Sequence, residues 1–321
     1  MTTMLHSDHL VVLSHGIMGT GDDLGYLANL LETGGCMVLK SRSNENFKSF
    51  NGIKACGEAL AKEILSCVQR NLNLKRISFV GNSLGGLYAR YSISILFSER
   101  DGTIAGLMPY RFMSIATPHL GVRNWTFTDD HGYPAPDMIK RIAANVMMTT
   151  GKDIFGFKED NSDEESLLFR MATESSFLAP LRSFSDRRLY GNLKRDLVVP
   201  LGTAAFINDD LVQELRKKHS AASGLIHVQT TPVHREEDFY ERTQLVNNQD
   251  RTTAMIDCLD SLGWEKIVVN FPGCLPLAHN QICALNRHPK WLFGNLLGFA
   301  AGEFVMDNAC SWLGVCDEGN K

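Results

Sequence analysis

Ser83 stands in the run Ile77-Ser-Phe-Val-Gly81-Asn82-Ser83-Leu84-Gly85-Gly86, where an apolar stretch stops at G-x-S-x-G and helix-compatible residues follow at once. A serine hydroxyl is a poor nucleophile until a base takes its proton. A sharp strand-to-helix turn presents it where a histidine can reach. Gly81 and Gly85 flank that turn, where side chains would crowd the backbone, and Gly86 lets the following helix pack closely on the sheet. The same five residues also occur by chance in Gly- and Ser-rich loops, so the pattern gains its meaning from what accompanies it.

Acyl transfer by a serine needs a base, a carboxylate to orient the base, and donors for the developing oxyanion. In open α/β sheets such groups gather at the carboxyl ends of strands, which filters the candidates. For the base, His279 follows the apolar strand Lys266 to Asn270 across a loop with two prolines and a glycine. His288 precedes Pro289, His219, His227 and His234 fall in a stretch without a clear element, and His15 comes before the nucleophile. For the carboxylate, Asp196 lies five residues past Gly191 on the turn leaving the strand Arg188 to Gly191. A turn aspartate bonding its own backbone is the alternative there, Asp209 is a weaker choice, and Asp186 is at the wrong end of its strand. The order Ser, Asp, His matches that of α/β-hydrolases. For the oxyanion, the backbone N–H groups of Leu84, next to the nucleophile, and of Ile17, in His15-Gly16-Ile17-Met18-Gly19, are the candidates. His15 reads as a buttress of that loop. Nothing completes a phosphate-binding P-loop, and no metal site or cofactor is expected.

The elements that must position these residues alternate. Strands are expected at His9 to Ser14, Met37 to Lys40, Arg76 to Val80 and Arg111 to Ala116, with helices from Asp22 or Asp23 to Leu31, Ile53 to Gln69 and Leu87 to Phe97. Such alternation implies an α/β fold with a mostly parallel central sheet and helices on both faces. It breaks between residues 120 and 185, where Trp125, Phe127, Met138, Met147, Met148, Phe155 and Phe157 suggest a helical cap inserted over an acyl pocket. Asp137 is a candidate helix N-cap there, and the acidic run from Lys158 to Glu165 reads as a solvated loop. The polar stretch Asp209 to Gln249 resists placement. Residues 1–321 are expected to form one catalytic domain with the 120–185 cap inside it.

Composition narrows the class. Hydrophobic content of 44% and charged content of 21% suit a chain with a large buried core, and a net charge of -4 offers nucleic acid no basic surface. The eight cysteines form no C-x-x-C pair, the first residues lack a signal-peptide pattern, and no apolar stretch is long enough to span a membrane, so a cytoplasmic address is expected. Contact with a membrane or lipid-droplet surface stays open, with Trp291 to Ala301 as either a lipid-dipping segment or a core helix.

The ordered set of motifs resembles the lipase-like putative serine esterases of the α/β-hydrolase superfamily. The resemblance runs through Leu10 to Gly19, Arg42 to Gly57, Ile77 to Tyr91, Ala116-Thr-Pro-His-Leu-Gly121, Arg170-Met-Ala-Thr173, Tyr190-Gly-Asn192 with Asp196, and Ala278-His279-Asn280. It implies an α/β-hydrolase fold and a triad of Ser83, Asp196 and His279. Asn82 departs from the family's usual histidine before the serine, which bears on substrate fit. The expected activity is hydrolysis of a lipid or other hydrophobic acyl ester. A thioesterase with the same triad, and a catalytically silent lipid-binding or regulatory module, are the alternatives.

Overall fold

A computed structural model describes residues 7–122, 145–156, 165–233, 250–273, 276–285 and 298–314. Seven strands form its main sheet: β1 (His9–Ser14), β2 (Met37–Lys40), β3 (Arg76–Asn82), β6 (Met108–Ile115), β7 (Asp186–Asn192), β8 (Gly224–Thr230) and β9 (Glu265–Asn270). A two-stranded hairpin, β4 (Phe97–Ser98) with β5 (Thr103–Ile104), stands apart. The spatial order is β2-β1-β3-β6-β7-β9-β8, and all pairings are parallel except β8 with β9. This is the α/β architecture expected, with one antiparallel strand at an edge.

The helices among the described residues are α1 (Gly25–Thr33), α2 (Ile53–Arg70), α3 (Leu84–Leu96), α4 (Met148–Phe155), α5 (Leu167–Thr173), α6 (Ser175–Arg182), α7 (Leu201–Ala204), α8 (Asp209–Lys218), α9 (Arg251–Asp260), α10 (Ala278–Gln281) and α11 (Glu303–Trp312). Successive side chains of a strand point to opposite faces. The near-continuous apolar strands therefore feed two cores. Leu10, Val12, Phe79, Phe112 and Leu189 face one core with Leu60 and Ile64 of α2 and Leu87 of α3. Val11, Leu13, Val80, Met113 and Tyr190 face the other with Leu27 and Leu31 of α1 and Val305 and Met306 of α11. Each such aliphatic side chain, once fully buried, contributes about 1.5–3 kcal/mol.

Besides the short β4–β5 hairpin and α7, three longer elements were not foreseen. β8, α8 and α9 fall in or beside the polar stretch that resisted placement; α9 is N-capped by Asp250, whose carboxylate accepts from the Thr253 N–H at 3.2 Å. The helix after the nucleophile also starts earlier than Leu87, with only Ser83 between β3 and α3. The expected helix around Asp137 and Met138, the run 158–164 and residues 291–297 of the C-terminal apolar segment lie outside the described residues.

Candidate active site

Ser83 pays for its position in backbone strain. Its φ of 53° and ψ of -129° leave the regions open to L-residues, a conformation costing on the order of 1–3 kcal/mol that only its surroundings can hold. Those surroundings are rigid. The Ser83 N–H donates to the Ile115 carbonyl of β6 at 2.8 Å, and the Ser83 carbonyl accepts from the Gly86 N–H at 3.1 Å. A side chain at Gly81 would run into the Gly86 backbone, and one at Gly86 into the side chain of Thr117. The turn is therefore as tight as the sequence suggested, because strand and helix touch backbone to backbone.

β7 and β9 end beside this elbow and bring in the other two side chains. After β7 the chain turns through Arg195, itself at a positive φ of 61°, and delivers Asp196, whose side chain is 1% exposed. Both of its oxygens are occupied. Oδ1 accepts from the N–H groups of Val198 at 3.1 Å and Val199 at 2.8 Å, and Oδ2 accepts from Asn192 Nδ2 at 2.7 Å and His279 Nδ1 at 3.0 Å. The contacts of the turn reading and of the orienting reading are both present, each on a different oxygen.

His279 is the second residue of α10, past the end of β9. Because a carboxylate only accepts, Nδ1 carries the imidazole hydrogen and Nε2 offers its lone pair to Ser83 Oγ, 3.1 Å away. Burial by itself would lower the pKa of this imidazole, but the Asp196 charge and hydrogen bond outweigh it, and the net direction is upward from the ordinary 6.5.

The N–H groups of Ile17 and Leu84 have no acceptor among the described residues. Leu84 opens α3, so its N–H belongs to the unpaired first turn of a helix. Ile17 lies in the loop after β1, which packs against the elbow so closely that a side chain on Gly16 would come within 2.7 Å of Ser83 Cβ. Two bonds shape this loop: His15 Nδ1 donates to the Gly16 carbonyl at 2.9 Å, and the Met18 N–H donates to Ser49 Oγ at 2.9 Å. His15 is 2% exposed and takes no part in the Ser83–His279 line.

A cavity of about 510 Å³, including its open mouth, adjoins Ser83. Ile17 and Leu84 line it beside the serine, Val122, Ile154 and Phe155 form one wall, and Leu197, Val198 and Val199 form another. Met147 and Phe155, expected in a cap over the pocket, do line it, whereas Met148 is 60% exposed. Trp125, Phe127, Met138 and Phe157 lie outside the described residues. Sequence reasoning missed the contribution of Leu197 to Val199, although their apolar run directly after Asp196 was a visible signal. It also missed Asn192 as a partner of Asp196. Among the described residues, no group of three His, Cys, Asp or Glu side chains is placed to hold a metal ion, and no helix is long and apolar enough to cross a membrane.

Residues 5–209 match the family described as "Putative serine esterase (DUF676)". Two relatives from Saccharomyces cerevisiae are each 29% identical: the putative lipase ROG1 over 76% of this chain and 35% of its own length, and the putative lipase YDL109C over 67% and 32%. The chain thus spans about a third of the curated relatives it matches. Among solved structures, the metagenome-derived lipolytic enzymes LipS and LipT give a TM-score of 0.41 at 11% identity, covering 92% of this chain and 94% of theirs. The phospholipase PlaB from Legionella pneumophila gives 0.38 at 15% identity, covering 67% of this chain and 42% of its own.

Proposed function

This chain belongs to the DUF676 putative serine esterase family, and from that premise we propose that it hydrolyses carboxylic esters of hydrophobic acyl groups through Ser83, His279 and Asp196. The observation that carries the reading is the unbroken line of contacts from Asp196 Oδ2 to His279 Nδ1 at 3.0 Å and from His279 Nε2 to Ser83 Oγ at 3.1 Å.

In this reading His279 Nε2 takes the Ser83 proton as Oγ attacks the ester carbonyl carbon. Negative charge then gathers on the carbonyl oxygen, where the N–H groups of Ile17 and Leu84 receive it. Asp196 holds the imidazolium that has formed and keeps its tautomer fixed. The C–O bond to the alcohol breaks as the leaving oxygen takes the proton from His279. Water next attacks the acyl-enzyme, giving its proton to His279, and Ser83 leaves with that proton as the carboxylic acid is released.

The lining of the cavity supports an apolar acyl group, since Val122, Ile154, Phe155 and Leu197 offer it dispersion contacts and no hydrogen bonds. Residues from 145 to 156, with α5 and α6 behind them, act as the described part of a cap within one catalytic unit. Val146, Met148, Leu197 and Val198 are exposed beside or on the lining of the cavity, and they support transient contact with a lipid surface. The test is a fluorophosphonate label together with matched p-nitrophenyl esters and thioesters of rising chain length. Ser83→Ala should lose both the label and ester turnover while keeping its unfolding transition; retained turnover sinks the mechanism. Turnover confined to the thioesters would reassign the substrate to that class, and a wild-type protein that takes no label would be a silent member of the fold.

A further inference from the structure

Asn192 is the last residue of β7 and is 1% exposed. Its Nδ2 donates at 2.7 Å to Asp196 Oδ2, the same oxygen that accepts from His279 Nδ1 at 3.0 Å. The amide can be oriented only one way, because its other end would set an acceptor oxygen against an acceptor-only carboxylate. Its Oδ1 is buried with no partner among the described residues, a cost of about 1–3 kcal/mol in general for a stranded polar atom. An amide held at that cost, on the one oxygen that faces the imidazole, serves that oxygen.

Resting on the triad reading above, we propose that Asn192 is a positioning residue that shares Asp196 Oδ2 with His279 and so limits how tightly the carboxylate holds the imidazolium. The two Oδ1 bonds, from the Val198 and Val199 N–H groups, fix where the carboxylate sits. The Asn192 bond sets how much negative charge remains for His279. The charged neighbours are few. Asp196 is the one charged group that acts appreciably on His279 among the described residues, Ser83 faces its other nitrogen, and Arg195 on the same turn reaches instead to Asn270 Oδ1 at 3.5 Å.

Removing the amide leaves Oδ2 to His279 alone, so the imidazolium is held more firmly and His279 becomes a competent base only at higher pH. Leucine in its place keeps the volume, offers no donor, and acts in the same direction.

The experiment is the pH dependence of fluorophosphonate labelling in the full chain, where Ser83 Oγ attacks phosphorus, fluoride leaves, and the serine proton passes to His279. Wild type, Asn192→Ala and the nearly isosteric Asn192→Leu are compared. The expected result is an acid-limb midpoint raised by about 0.5–1 pH unit in both Asn192→Ala and Asn192→Leu. Labelling that slows in both variants while the midpoint stays at the wild-type pH would mean a merely structural amide and would overturn the proposal. Should Asn192→Ala fail to fold, Asn192→Leu carries the same test. Absence of label in the wild-type protein would overturn the reading of Ser83 itself, a separate outcome.

Discussion

Gly85 and the Ser14 carbonyl touch so closely that position 85 has no room for a Cβ: the atom would land on the carbonyl oxygen at the end of β1. Two parts of the candidate site meet at that contact, since Ser14 leads into the Ile17 loop and Gly85 follows the Leu84 N–H. Backbone atoms cannot rotate aside as a flexible side chain can. Gly85→Ala must therefore push α3 away from β1, separating the two N–H groups that would receive an oxyanion. The variant is expected to lose about 1–3 kcal/mol in urea unfolding, and at least about 10-fold in ester turnover while folded. Wild-type stability with wild-type turnover would show that the contact is not rigid.

The acid limb of activity follows from His279. Its pKa lies above the ordinary 6.5 because Asp196 outweighs burial, and only the neutral imidazole accepts the Ser83 proton. Ester turnover is thus expected to fall as pH drops through a midpoint above 6.5. Stability runs the other way. A base whose pKa is raised on folding contributes stability that is fully present below its unfolded value and is lost as pH rises through its folded value. The unfolding free energy of wild type relative to His279→Gln should accordingly be larger near about pH 5 than near about pH 9. A turnover midpoint below 6.5, or a stability gap that widens with pH, contradicts the assignment.

Much of this site is legible in the chain because each part sits at a strand end and is the right residue type. Ser83, Asp196 and His279 each follow a run that becomes β3, β7 or β9, and their order fixes the search. Two of the elements that were missed, β8 and α8, bury little. Only Ile226 of β8 and only Val212 and Leu215 of α8 are buried, so neither periodicity stands out. α8 did carry end signals: Asn208 accepts from the Leu211 N–H, Asp209 and Asp210 fill its first turn, and Arg216 to Lys218 its last. The cavity beside Ser83 has no local signature, since its walls come from segments near residues 17, 83, 120, 150 and 198 that meet only in the fold.

Arg90 is a second buried charge whose role is structural. Nη1 donates to His119 Nδ1 at 3.1 Å, Nη2 donates to the Met171 carbonyl at 2.5 Å, and His119 passes its Nε2 hydrogen to Ser114 Oγ at 2.9 Å. Burial pulls the Arg90 pKa down to about 10, and burial together with Arg90 and Lys266 pushes His119 well below its usual value, so His119 is a neutral acceptor. The guanidinium thereby ties α3 to the turn after β6 and to α5. A lysine ammonium cannot reproduce that fork. Arg90→Lys is expected to cost about 1–3 kcal/mol by urea unfolding while Ser83 still takes a fluorophosphonate label. An unchanged unfolding midpoint would mean the fork contributes nothing.

The cavity walls allow chain-length preference to be moved in both directions. Ile154, 4% exposed, and Val198, 49% exposed, both line the cavity. Each methylene of substrate buried there is worth about 0.8 kcal/mol, which is roughly fourfold in kcat/KM. Val198→Trp fills part of the space without disturbing the core, so the optimum of a p-nitrophenyl ester series should shift to shorter chains. Ile154→Ala removes three side-chain carbons and should shift it to longer chains, at a stability cost of about 2–5 kcal/mol that unfolding curves will register. The opposite shifts separate a shaped pocket from a general loss of folded protein, which would lower turnover at every length alike. Parallel losses across the series in both variants would place the acyl group outside this cavity.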